Sequence, residues 1–227
     1  MFNIFSNNIV LMIQVRVGSQ RLPNKALLPI KGKTVIEHCL TSLRLVQAER
    51  FIMLTDFESK NMLKKISKKQ GFDIRIGDPD DVLDRFTRVA SSLGVDTVIR
   101  ATGDAPLVSS KLANLILHEH LYQKADLSHF IGSPLGTGVE IISFPALEAA
   151  HKEAQNTFDR EHVTPFIYRN KNRFKVIEKQ CPPEVAVDID VSIDTFEDYD
   201  FVKRIYDDIY QGGPVPVEEL VAWLRKF

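Results

Sequence analysis

Residues 10–15 (Val-Leu-Met-Ile-Gln-Val) form a nearly unbroken apolar run. Such a run reads as a strand covered on both faces, the pattern of a parallel sheet. The polarity then reverses. Arg16, Gly18, Ser19, Arg21 and Lys25 follow, with Pro23 and Asn24 as turn residues. Gly18 has no Cβ, so the backbone there can bend and approach a ligand closely. Successive amides in such a loop can form an anion-binding nest. The three fixed positive charges suit a triphosphate, and α/β proteins place ligands at the carboxyl ends of parallel strands. The same letters also fit a basic surface loop. They are not a Walker A loop, because Leu27 stands where Gly32-Lys33-Thr34 would need its leading glycine.

Strands and helices alternate beyond this point. Thr34 and Glu37 have capping-box spacing, followed by an apolar stripe of Ile36, Cys39, Leu40 and Leu43. A second buried strand at 51–54 ends in Thr55-Asp56, beside the first loop. In the next helix Met62, Leu63 and Ile66 point inward, and a run of lysines faces water. A short strand at 74–76 leads to a helix over 82–93, whose acidic start complements its dipole. Arg85, in the first turn, can swing toward the strand ends. The strand at 97–100 runs into Thr102-Gly103-Asp104-Ala105-Pro106, where Gly103 permits a turn and Pro106 ends the strand. That presents Asp104 at the sheet's carboxyl end.

The helix from Ser110 carries His118 and His120 two residues apart. They lie on different faces, which argues against a shared metal and for a solvated helix end. A glycine-rich loop precedes a strand at 139–144 bearing Glu140. Residues 158–170 read as a capped amphipathic helix interrupted at Pro165. A strand is predicted at 174–177 and, from period-two alternation, another over 185–193 ending at Asp194. Helices follow, capped by Thr195 with Asp198 and then spanning 217–227. Right-handed βαβ connections would gather Arg16, Arg21, Lys25, Arg85 and Asp104 along one edge.

At 227 residues the chain is read as one domain over 1–227, and a net charge of −1 gives no bulk attraction to nucleic acid or an anionic membrane. A basic loop on a nearly neutral chain points to a small anionic ligand. Cys39 and Cys181 fit neither a disulfide framework nor a zinc site. No apolar run is long enough to span a membrane and no leader pattern opens the chain, so a cytoplasmic protein is expected.

The segment Ile13-Gln14-Val15-Arg16-Val17-Gly18-Ser19-Gln20-Arg21-Leu22-Pro23-Asn24-Lys25 resembles the opening signature of the cytidylyltransferase superfamily, which includes the CMP-KDO and CMP-sialic acid synthetases. Asp80-Asp81-Val82-Leu83-Asp84-Arg85, Gly103-Asp104-Ala105-Pro106, Arg160-Glu161-His162-Val163-Thr164-Pro165 and Ile193-Asp194-Thr195-Phe196-Glu197-Asp198 extend the resemblance, most closely to its spore coat polysaccharide (SpsF) branch. The resemblance implies a Rossmann-like GT-A nucleotidyltransferase fold: a mostly parallel, three-layer α/β/α sheet with a small inserted β/α region for dimerisation. It implies CMP transfer from CTP to a sugar or other small acidic acceptor, with release of pyrophosphate, in surface glycan synthesis. The catalytic set it implies is Arg16, Arg21, Lys25 and Asp104. The nucleotide set is Gln14, Arg16, Gly18, Ser19, Arg21, Lys25, Thr55, Asp56, Arg85, Thr102 and Gly103. Asp104 and Asp194 would hold Mg²⁺. Glu140, Arg160, His162 and Thr164 would face the acceptor, with His162 open to two roles, general base or helix structure. A homodimer joined through 131–170 is implied as well. Two rivals stand beside this reading. One is a GT-A glycosyltransferase, for which Asp188-Ile189-Asp190 supplies an Asp-x-Asp; the other is a non-catalytic nucleotide-binding subunit.

Overall fold

In the computed structural model, which describes residues 8–226, strands and helices alternate as the apolar periods require. The expectation about an amino-terminal leader falls on residues 1–7, outside the described residues. The chain begins with β1 (Ile9–Gln14), a small hairpin of β2 (Pro29–Ile30) and β3 (Lys33–Thr34), α1 (Val35–Leu43), β4 (Arg50–Thr55), α2 (Phe57–Lys69) and β5 (Asp73–Ile76). It continues through α3 (Val82–Leu93), β6 (Thr97–Thr102), α4 (Ser110–Gln123), β7 (Leu127–Ile131), β8 (Glu140–Ser143) and α5 (Phe144–Glu153). The last elements are α6 (Thr157–His162), α7 (Pro165–Arg169), β9 (Val176–Gln180), α8 (Phe196–Ile209) and α9 (Val217–Leu224).

Seven strands form one sheet in the order β5-β4-β1-β6-β8-β7-β9. β5, β4, β1 and β6 are parallel, whereas β8 runs antiparallel to both of its neighbours. β1 is central and fully covered. Leu11 and Ile13 pack on one face with Ile36, Leu40, Leu63 and Ile116 from α1, α2 and α4. Val10 and Met12 pack on the other with Leu83, Phe86 and Leu147 from α3 and α5. At roughly 1.5–3 kcal/mol per buried aliphatic side chain, this two-sided burial dominates the stability of the strand. The chain leaves β1 for β4 and β5 on one side, then crosses back to β6 on the other. The carboxyl ends of β1 and β6 therefore flank a topological switch point, where open α/β sheets leave a crevice.

The capping box at the start of α1 forms as expected, with Thr34 accepting from the Glu37 amide and the Glu37 side chain accepting from the Thr34 amide. Three expectations need correction, and one strand lies where none is predicted. Met62, read as inward, is 49% exposed on α2. Residues 185–193 are not a strand. Their alternating amides and carbonyls lace onto the loop after β7, through Val187 N to Gly132 O, Leu135 N to Ile189 O and Val191 N to Leu135 O. The period of two is satisfied there by loop backbone. Residues 127–131, where no periodicity is apparent, do form a strand, paired on both sides by β8 and β9. His120 does not solvate a helix end. It is 2% exposed, and its Nδ1 lies 2.9 Å from Ser128 Oγ.

Candidate active site

The crevice at the switch point is a cleft of about 500 Å³. Its floor depends on a close approach of two strand ends. Gly103 N donates to Gln14 O at 2.9 Å, and a Cβ on Gly103 would come within 2.7 Å of Val15 Cβ. Only glycine lets β6 turn here against β1. The loop after β1 is anchored by Val17 N donating to buried Ser59 Oγ at 2.9 Å. It then folds back through Asn24, whose positive φ allows Lys25 to start a single 3₁₀ turn.

Lys25 is the centre of the charge arrangement. Its ammonium donates to Asp104 Oδ2 at 3.0 Å, Asp194 Oδ1 at 2.8 Å and the Ile193 carbonyl at 2.8 Å. Arg21 Nη2 lies 2.9 Å from the other Asp194 oxygen. The two aspartates, distant in sequence, are locked together by backbone as well, since Ile193 N donates to Asp104 O at 2.9 Å. Asp194 is further set by α8, whose Asp198 side chain accepts from the Asp194 amide. Burial raises the Asp194 carboxyl pKa, but the Lys25 hydrogen bond and the charges of Lys25 and Arg21 outweigh it and hold the group below its usual range. Two converging carboxylates beside a basic loop form a donor set that fits one divalent cation, which takes one or two carboxylates and fills its remaining positions from phosphate and water.

Arg85 enters the cleft from α3. It is 3% exposed, and its stem lies across Gly77, where a Cβ would come within 2.5 Å of Arg85 Cγ. Its Nε is buried without a hydrogen-bond partner among the described residues. Burial lowers the guanidinium pKa and the charge of Asp56 opposes that shift. The side chain still lines the cleft, so its charge bears on an anion bound there.

Gln14, Arg16, Ser19, Arg21, Lys25, Arg85, Thr102, Gly103, Asp104, His162 and Asp194, all singled out from the sequence, line this cleft together. Gly18, Thr55, Asp56, Glu140, Arg160 and Thr164 do not. Asp56 caps α2, accepting from Ser59 N at 2.7 Å and Ser59 Oγ at 3.1 Å. Thr55 is fully buried. Arg160 is held by Asp81 and by the His151 carbonyl, which ties α6 to the start of α3. Glu140 accepts from Thr164 Oγ1 at 3.0 Å, Tyr168 OH at 2.8 Å and Arg100 Nη1 at 2.5 Å. Burial, with the adjacent Glu140 charge, pushes the Tyr168 phenol far up. Asp188 and Asp190 are also away from the cleft, and Asp190 accepts from its neighbour Ser192.

Sequence reasoning missed Arg100 and Glu161, both of which line the cleft. Arg100 Nε donates to Gln14 Oε1 at 3.2 Å, so Glu140 reaches the cleft through Arg100 and orients Gln14. A charged residue inside an apolar strand was the available signal. His162 is delivered by a strained turn: Val163 is fully buried at φ 73°, and Thr164 N donates back to His162 O at 2.9 Å. A β-branched residue in a γ-turn of positive φ is uncommon and costs roughly 1–3 kcal/mol.

Residues 10–213 match the family described as cytidylyltransferase. The spore coat polysaccharide biosynthesis protein SpsF of Bacillus subtilis is 30% identical over 228 residues, covering 97% of this chain and 95% of that protein. A cytidylyltransferase from Leptospira borgpetersenii superposes with a TM-score of 0.89 at 26% identity, over 96% of this chain and 94% of that one. CMP:2-keto-3-deoxy-manno-octonic acid synthetase, solved with CTP, superposes with a TM-score of 0.70 at 16% identity, over 88% and 98% of the two chains. The mostly parallel, helix-flanked sheet is the fold of these nucleotidyltransferases, in agreement with the expectation from sequence.

Proposed function

The chain belongs to the cytidylyltransferase family, and from that premise we propose that it transfers CMP from CTP to an oxygen of a small acidic acceptor, releasing pyrophosphate, as a step in surface glycan synthesis. The observation that carries this reading is the convergence of Asp104 and Asp194 on Lys25 beside the basic loop. Arg16, Arg21 and Lys25 grip the triphosphate. Arg85, which lines the cleft from α3, adds its positive charge on the nucleotide side. Asp104 and Asp194 would hold one Mg²⁺, which would offset charge on the phosphates. The acceptor oxygen attacks the α-phosphorus in line with the leaving pyrophosphate. The basic loop stabilises the charge that builds on the oxygens of that leaving group. His162 borders the acceptor side. Glu140 and Thr164 act there through Arg100 and Gln14, not by direct contact. The reading includes a cytoplasmic homodimer joined through 131–170, which sedimentation velocity checks.

The test is pyrophosphate release from CTP with Mg²⁺ and a panel of ulosonic acids, sugar phosphates and phosphonates. Acceptor-dependent release with CTP, absent with chelator, is the expected result. Transfer from a nucleotide sugar instead would establish the glycosyltransferase. CTP binding with no turnover across the panel would favour a binding subunit. Unchanged Mg²⁺-dependent CTP affinity in Asp104→Asn would remove the carboxylate assignment.

A further inference from the structure

The Lys25 ammonium has three N–H donors and three oxygen acceptors, namely Asp104 Oδ2, Asp194 Oδ1 and the Ile193 carbonyl, each within 3.0 Å. The side chain is only 14% exposed. A small hard cation seeks the same set: two carboxylate oxygens and one carbonyl. Two positive charges cannot share those oxygens without strong repulsion in a partly buried site. Removing the ammonium with nothing in its place would leave the two carboxylates facing each other, with Arg21 alone to offset them.

Resting on the assignment of Asp104 and Asp194 to a divalent cation, we infer that Lys25 stands in for that cation in the nucleotide-free protein. It keeps the carboxylates together and excludes metal that arrives alone. A triphosphate brings new oxygens within reach of the same flexible side chain, so Lys25 moves from the carboxylates to phosphate as the metal takes its place. Nucleotide and metal are therefore taken up as one complex, and the affinity of each depends on the other by linkage.

The experiment titrates MnCl₂ into nucleotide-free protein and reads free Mn²⁺ by electron paramagnetic resonance. Wild-type protein binds none at the cleft. Lys25→Met gains a single site, tighter than any wild-type binding by about tenfold or more, the scale of a typical coupling. Adding Asp104→Asn to Lys25→Met abolishes that site. Mn²⁺ also raises the melting temperature of Lys25→Met but not of wild type. Lys25→Gln, which keeps a donor toward the carboxylates, carries the same expectation and serves if the Met variant fails to fold. Wild-type protein binding Mn²⁺ without nucleotide as tightly as the variants would overturn the inference. So would folded variants that bind none. These failures are separate from that of the carboxylate assignment, which falls only if Asp104→Asn retains metal-dependent CTP binding.

Discussion

Arg85 and Gly77 occupy one volume between them. The guanidinium stem crosses the space where any other residue at 77 would carry a Cβ. Gly77→Ala must push Arg85 off the cleft, and overpacking of this kind costs about 1–3 kcal/mol. The expected outcome is a CTP dissociation constant raised about tenfold, by calorimetry, from misplacing one charge-assisted donor. His120 makes a different single-residue prediction. Burial pulls its pKa down to about 4, with Asp126 opposing weakly, so the folded protein holds it neutral. The unfolded chain takes up that proton near pH 6.5. Stability is therefore complete above that value and is lost as pH falls from 6.5 toward 4, by up to roughly 3 kcal/mol. His120→Gln should flatten the denaturation midpoint across that window. A midpoint profile identical to wild type would show that the burial of this ring does not couple to protonation.

At the scale of elements, α6 is braced to α3. Arg160 spans from Asp81, the cap of α3, to the last turn of α5. Asp81 keeps its own capping bond to Asp84 N at 2.9 Å without Arg160. Arg160→Met should then lower stability by about 1–3 kcal/mol, the value of a part-buried charged hydrogen bond, and leave CTP affinity little changed. Unaltered stability with a raised KM for the acceptor would return Arg160 to the acceptor site. The helix starts are the best-read parts of this level. Thr34 with Glu37 and Thr195 with Asp198 are local patterns, and both boxes form. The segment 185–193 was misread because alternation reports only which residues face inward. It does not say whether the bonding partner is a strand or a loop. β7 was missed for the converse reason: its hydrogen bonds come from β8 and β9, not from any period of its own.

For the whole molecule, the decisive long-range event is the docking of α8 and α9 on the hairpin and on Leu107. Val191, Ile193, Val202, Ile205 and Trp223 bury with Leu22, Ile30 and Leu107. That docking carries Asp194 to the loop after β6. Asp194→Asn should reduce kcat/KM in the pyrophosphate assay by about 10²–10³-fold, the effect of removing one preorganised electrostatic contact. It should leave the melt near wild type, because Asp198 still caps α8 and the apolar cluster is untouched. A large loss of stability with normal turnover per folded molecule would show that Asp194 serves the fold and not the phosphates.

The amino-acid sequence alone determined the layers and much of the cleft's lining, from Gln14 to Lys25 and on to Asp104 and Asp194. Apolar period decides which residues leave water, and a basic glycine loop after a doubly buried strand must lie at a sheet edge. Tertiary structure alone decided the allocation of charges. Lys25 belongs to Asp104 and Asp194, Arg160 to Asp81, and Arg100 to Glu140 and Gln14. Burial follows from local pattern, whereas a hydrogen bond between distant residues exists only once chain closure has fixed which strand ends and helix starts stand within 3 Å of each other.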